Sequence, residues 1–538
     1  MSFLTDEERL QYRVEPTPEV VRAARETIYQ HELSIDAIEE RIQGLLNQVR
    51  DLRYEQAKHR AAIERCSGIL TLARRLPGEL LIKIFGHCVE DGWTPAPLVV
   101  SHVCSAWRRA ALSPKVWSHV YVRCDDANVL DRTQFWLKMA AGADLHVTFV
   151  VSWRITQREI NRLMALLSTR RAQWRSLRIE VDSAQHGEFV LAQCQGTFPE
   201  LREVNIKTSA STPDGDDIDG ASDLLRLADT FSAERAPRLT MVSYASTIIP
   251  AVPIFPTHIR HLDLRIQDSL NQRPLSAASI ISILEPLTEL RTLTLSMPFI
   301  YLHPYVPETE ESFRFVSLPN LTSLTVYGPT DLNELLPHIH APILRHLHLR
   351  SLEDLGYRQQ PVGPSLMQFL DSSTPPLELL ELHDIDLAPE TFAACFVALP
   401  NLRELRLHES SISDATVQLL NGPRGLCPRL RKLDFRWCGM LRGRALVDLV
   451  RSRLVVDDLA GPVSDPIEEV GVINCAFVLE EDVLDLARMT VCRIVTRDAD
   501  DYCRSTGCCS NARYRTRLRL RHMDELAGRD KRNLRLVL

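Results

Sequence analysis

Glycine is scarce in this chain: 21 of 538 residues, about 4% against a usual ~7%. So little glycine leaves few resources for the loops that cradle phosphates. No Walker loop, no His-Glu-x-x-His and no Gly-x-Ser-x-Gly occurs. An excess of one charge is also lacking. The net charge of −7 is small for the length and offers no global reason to bind nucleic acid or a membrane surface. No uninterrupted apolar run in the sequence approaches the ~20 residues that span a bilayer. Residues 1–16 are polar and acidic, unlike a secretory signal. These absences point away from an enzyme and a membrane protein, and towards a soluble protein of the cytoplasm or nucleus.

What is present is ordinary globular material, 45% hydrophobic and 25% charged, enough for two to four domains of ~100–200 residues. The 13 cysteines are scattered, and Cys88, Cys104 and Cys395 sit inside apolar patterns. That distribution suits reduced thiols acting as small core residues.

Residues 1–18 read as a disordered polar tail, and 19–68 as a coiled-coil-like helix. Ile28, Ile35, Ile42, Val49 and Ile63 share a seven-residue register, broken at Gln56. Ile38, Leu45 and Leu52 share a second register, interrupted by His31 and His59. Polar residues at such positions weaken a seam. Two readings stay open: self-association through the seam, or an amphipathic helix folded against its own chain.

The next segment breaks into three helical stretches. Pro77 occupies a first-turn position, where a missing N–H costs nothing. Leu80, Leu81, Ile84 and Phe85 follow at helical spacing; Gly92, Pro95 and Pro97 mark a break, and Pro114 opens a last short turn ending in Trp117. Leu76-Pro77, Glu79-Leu80-Leu81, Ile84-Phe85, Val103-Cys104, Trp107-Arg108 and Pro114 with Trp117 together resemble the F-box family. The resemblance covers about 45 residues, placed within a domain at 72–122. It implies docking onto a Skp-type adaptor, and through that adaptor onto a cullin ubiquitin ligase. The residues expected to dock are Leu76, Pro77, Leu80, Leu81, Ile84, Val103, Trp107 and Trp117, with Phe85 and Cys104 internal. The other reading is a generic three-helix unit whose Leu and Trp residues serve only its core.

From about residue 140 the pattern Leu-x-x-Leu-x-Leu, with other apolar residues allowed, recurs ten times. It starts at Trp174, Leu201, Leu239, Ile259, Leu290, Leu321, Leu344, Leu377, Leu402 and Leu430. Helical patterns separate these starts at gaps scattered around the ~20–29 residues of leucine-rich repeats, so 140–455 reads as a solenoid of that kind. An ordinary α/β domain with parallel strands is the alternative. Residues 456–538 read as a C-terminal cap and basic tail.

In such a strand the two leucines point inward, and their neighbours point outward onto a concave face. The outward positions of the middle rungs are rich in hydroxyls, as at Thr292, Thr294, Ser296, Ser323, Thr325 and Tyr327. Later rungs mix bases and acids. His346, His348, Arg350, Glu381, His383, Arg406, His408 and Arg436 are the expected target-binding residues. Arginines there suit a polar peptide, acidic or phosphorylated, because guanidinium pairs bidentately with carboxylate or phosphate. A solvated face with no partner is the plain alternative.

Three other patterns fail. The acidic stretch 214–220 resembles a calcium loop but puts Ile218 at a ligating position. Cys503, Cys508 and Cys509 lack a second well-spaced pair for zinc, and His346 with His348 lacks a nearby carboxylate in sequence. The Arg-rich stretch 513–521 fits an edge strand, a basic localisation patch or a nucleic-acid contact, with a solvated strand the plainest choice.

The expected fold class is therefore α/β: an N-terminal coiled-coil-like helix and a three-helix F-box, followed by a leucine-rich-repeat solenoid. The order also resembles the fungal F-box set, in which such a helix precedes the F-box. The function implied is substrate recognition for a Skp–cullin–F-box ubiquitin ligase, with no cofactor, no metal and no catalysis by the chain. The alternative is a leucine-rich scaffold acting outside ubiquitination.

Overall fold

The computed structural model describes residues 15–70, 75–152, 155–182, 184–208, 227–246, 254–266, 277–296, 314–327, 332–350, 362–422, 425–454, 464–475 and 477–495. The expectations for the tail up to residue 14, for 214–220, for Cys503, Cys508 and Cys509 and for 513–521 lie outside these residues. The chain divides into two compact units, Met1–Ile84 with Ser101–Ala110, and Phe85–Val100 with Ala111–Leu538.

In the first unit, helix α1 runs over Pro18–Leu70. Proline stands at its first position, and the carbonyl of Thr17 accepts the N–H of Val21. At ~1.5 Å per residue α1 is about 80 Å long. The heptad-register residues Ile28, Ile35, Ile38, Ile42, Leu45, Val49, Leu52 and Ile63 are all exposed on it.

Helix α2, Gly78–Glu90, begins where the carbonyl of Pro77 accepts from the N–H groups of Leu80 and Leu81. Short helices α3, Ala96–Ser101, and α4, Ser105–Ala111, follow, with a 3-10 turn at Pro114–Trp117.

The second unit carries one long parallel sheet. Its first strands are β1 His119–Arg123, β2 Leu145–Val151, β3 Trp174–Val181, β4 Glu203–Thr208, β5 Met241–Ser246, β6 His261–Ile266 and β7 Thr292–Ser296. A two-residue strand, β8 Val316–Ser317, pairs with β10 Ile339–His340 outside that sheet. The main sheet continues through β9 Ser323–Tyr327, β11 His346–Arg350, β12 Leu379–His383, β13 Glu404–His408, β14 Lys432–Arg436, β15 Glu469–Ile473 and β16 Val491–Val495. Each of these fourteen strands pairs with the next along the chain, because the link between parallel neighbours must cross back and carries a helix or loop.

Register follows the repeat. Leu347 stands opposite Leu324 on one side and Leu380 on the other, and Leu405 pairs with Leu380 and Leu433. All ten pattern-starting residues, from Trp174 to Leu430, are at most 1% exposed. Full burial of such a side chain contributes roughly 1.5–3 kcal/mol, so this column is a main source of cohesion.

The sheet outruns the 140–455 span at both ends. β1 carries the same spacing as Trp117-x-x-Val120-x-Val122, and β15 as Ile467-x-x-Val470-x-Val472, all of them buried. With Val and Ile for Leu these strands lack the leucine signature, yet β-branched residues suit strands equally well. At β2 the register shifts between Leu145 and His146, which takes its first apolar residue out of the pattern.

The end of each late rung has a common construction. Asp384, Glu409, Trp437 and Asn474 directly follow β12 to β15 with φ of 55, 54, 52 and 53°. The N–H groups of Asp384, Glu409 and Trp437 then donate to His408, Arg436 and Ile473, extending the ladder by a residue. The following residue turns into the core: Ile385, Ser410, Cys438 and Cys475 are all buried. The thiols of Cys438 and Cys475 lie 3.4 and 3.5 Å from the carbonyls of Leu407 and Phe435 on the preceding strands. Cys395 and Cys427 are core residues too, each 1% exposed, and burial pushes their thiols up to about 12. No helix among the described residues is long and apolar enough to cross a membrane.

Candidate functional site

Two surfaces carry the residues singled out above. The first is helical. Leu80, Ile84 and Val103 are 45, 43 and 57% exposed, Pro77 is exposed, and Leu76 and Trp107 are half-buried. Exposed apolar side chains of this size on a small helical unit mark an interaction surface.

Leu81 and Trp117 are corrected. At 2 and 3% exposed they lie in this chain's own core and offer a partner no surface. The helical period explains Leu81, which shares the inward side of α2 with Phe85 and Val89. Trp117 opens the first rung of the sheet. Its indole N–H donates to Ala111 at 2.6 Å, and its ring meets Trp136 and Phe135 edge-on at 4.8 and 5.5 Å. Phe85 is internal, as expected, whereas Cys104 is only half-buried.

Within the second unit, Glu90, Pro95, Leu98, His119, His146 and Arg178 help to line a groove of about 830 Å³. His119 and His146 stack there at 4.5 Å, and Ser176 bonds His146 at 2.8 Å. Burial, with His146 adding to it, pulls the His119 pKa down to about 4.

The second surface is the outward strand face, where the expected rungs stand in register. His348 lies beside Glu381, Glu381 beside Arg406, Arg350 beside His383, His383 beside His408, and His408 beside Arg436. His346 is exposed at the edge of its strand. The arginines, however, do not wait for an anion. Arg406 bonds Glu404 at 2.7 Å and Glu381 at 3.3 Å, Arg436 bonds Asp434 at 2.7 Å, and Arg350 reaches Asp384 at 3.4 Å. All three guanidiniums thus already have acid partners, on the same strand for Arg436, on the same and the preceding strand for Arg406, and just past the following strand for Arg350.

Glu381 is the hub. It accepts from the Tyr327 hydroxyl at 3.0 Å, contacts His348 Nδ1 at 3.0 Å and takes Arg406 as well. Burial alone would raise its carboxyl; the His348 bond, the charges of His408 and His348 and the Tyr327 hydroxyl outweigh it and hold the pKa at about 2. A second cluster joins the ends of β12 and β13. His383 Nε2 lies 3.7 Å from Asp384 and 3.8 Å from Glu409, and its ring meets His408 edge-on at 5.2 Å.

Asp384 and Glu409 were missed as functional candidates because a strict inward–outward alternation ends with the strand. The clue was a repeated phrase, Leu-x-Leu-His-Asp at 380–384 and Leu-x-Leu-His-Glu at 405–409. Consecutive parallel strands bring such repeats side by side.

Residues 73–123 match the F-box-like family, so this is a protein carrying an F-box-like domain. No curated protein matches the sequence. Among solved structures, one titled "Crystal structure of Rad7 and Elc1 complex in yeast" is 12% identical, with 82% of this chain and 98% of that chain covered, at a TM-score of 0.32. A likeness that weak carries no argument.

Proposed function

We propose that this chain is a substrate-recognition adaptor of a Skp–cullin–F-box ubiquitin ligase. The observation that carries the proposal is the F-box-like match at 73–123, on which Leu80, Ile84 and Val103 stand open to a partner. The partner assigned to them is a Skp-type adaptor, with a cullin reached through it. The sheet and its intervening helices are read as a leucine-rich-repeat solenoid, on the ground that all ten repeat starts are buried and the strands pair in register. Its outward strand face is assigned to the target protein.

That face is a pre-paired charge lattice. Such a surface discriminates more than it attracts, because a ligand must match the lattice or replace its pairs. The chain performs no bond chemistry in this scheme. It holds a target near the ligase, so that transfer becomes effectively intramolecular. The uncovered α1 seam is assigned to a second copy of the chain, because its heptads match themselves. Light scattering on the purified protein should then report a dimer; a monomer at micromolar concentration would remove this element.

The adaptor assignment is tested by co-precipitation of a Skp-type adaptor and a cullin. Leu76→Ala with Pro77→Ala should abolish recovery of both. Unchanged cullin recovery would refute the ligase role.

A further inference from the structure

We propose that His383, Asp384 and Glu409 form a binding site for a zinc-type divalent cation across the ends of β12 and β13. The three side chains each offer one donor atom, and these atoms lie within 4.8 Å of one another. Ligands held tetrahedrally at ~2.0–2.2 Å from zinc are about 3.4 Å apart. The gaps from His383 Nε2, 3.7 Å to Asp384 and 3.8 Å to Glu409, are within a few tenths of that spacing.

The site is built by the backbone. His383 pairs with His408 across the strands, and the N–H of Asp384 donates to the carbonyl of His408. A second imidazole, this one buried, therefore stands beside the cluster. His408 is 8% exposed, and its Nε2 has no hydrogen-bond partner among the described residues. Its ring lies edge-on to that of His383, 5.2 Å between centroids. Imidazole with carboxylate selects a borderline ion such as zinc over calcium or magnesium, which prefer all-oxygen sites.

Arg350 now sits where the ion's charge would act, 3.4 Å from Asp384 Oδ2, long for a charge-assisted bond. Metal uptake would replace this contact and turn Arg350 towards the outward face. The cation thus competes with a guanidinium, and removing the guanidinium should favour it.

The test uses the full chain and zinc chloride or cobalt(II) chloride alone. Calorimetry should find one site per chain. Cobalt should show visible d–d bands without thiolate charge-transfer absorption, which separates this site from the Cys503, Cys508 and Cys509 tail. Glu409→Gln and Asp384→Asn, with unchanged circular dichroism, should each weaken binding at least about tenfold. Arg350→Gln should tighten it roughly threefold or more. Uptake seen only with thiolate absorption, or affinity indifferent to Glu409→Gln and Asp384→Asn, would overturn the proposal.

Discussion

The F-box-like helices and the late strand face are both surfaces, but they meet solvent differently. On the helices, Leu80, Ile84 and Val103 stand exposed, with no polar group to satisfy. On β9 to β14, Tyr327, His348 and Arg406 converge on a buried Glu381. The first surface gains by losing water, so it suits a constant partner met through apolar contact. The second is already satisfied, so any ligand must improve on existing bonds. Substitutions should therefore show in binding on one surface and in stability on the other.

The largest expected effect concerns that hub. Glu381→Leu leaves Tyr327, His348 and Arg406 without their shared acceptor and should cost about 3 kcal/mol in a urea unfolding experiment. Adaptor binding should be untouched. If stability instead holds, the lattice is surface decoration.

Next comes Leu80→Glu with Ile84→Glu. Calorimetry against a purified Skp-type adaptor should show an affinity loss of about 100-fold, about 2.7 kcal/mol. The melting temperature should stay near its original value, since both side chains already face water; a collapse in melting would make them core residues.

The groove beside β1 offers a test by pH. His119 has its pKa lowered to about 4 by burial first and by His146 second, with Glu90 opposing. In the unfolded chain it titrates near 6.5, so the stability it contributes is complete above that value. That contribution drains away as pH falls from 6.5 towards 4, by about 1–2 kcal/mol after allowance for partial exposure. His119→Phe should flatten the urea midpoint over this window.

The smallest effect sharpens the comparison within the strand region. Glu378, three residues before Glu381, pairs with a well-exposed Arg345 at 2.9 Å. Glu378→Gln should cost no more than about 0.5 kcal/mol. A loss equal to that of Glu381→Leu would mean that burial is not what separates the two pairs.

The sequence by itself determined the F-box-like segment, the long helix and which side of each strand faces inward. The reason is local: helical spacing and strict alternation are written in neighbouring residues. Hence Leu380 and Leu382 could be placed before any fold was known. Only the tertiary structure decided that Leu81 and Trp117 belong to the core, and that the sheet reaches β1 and β16. It alone also showed that the arginines of the outward face already have acids. Tyr327 and Glu381 are 54 positions apart, and Arg406 and Glu381 are 25 apart. Parallel register brings them within hydrogen-bond distance, and register is a property of the stacked rungs together, which no single rung can express.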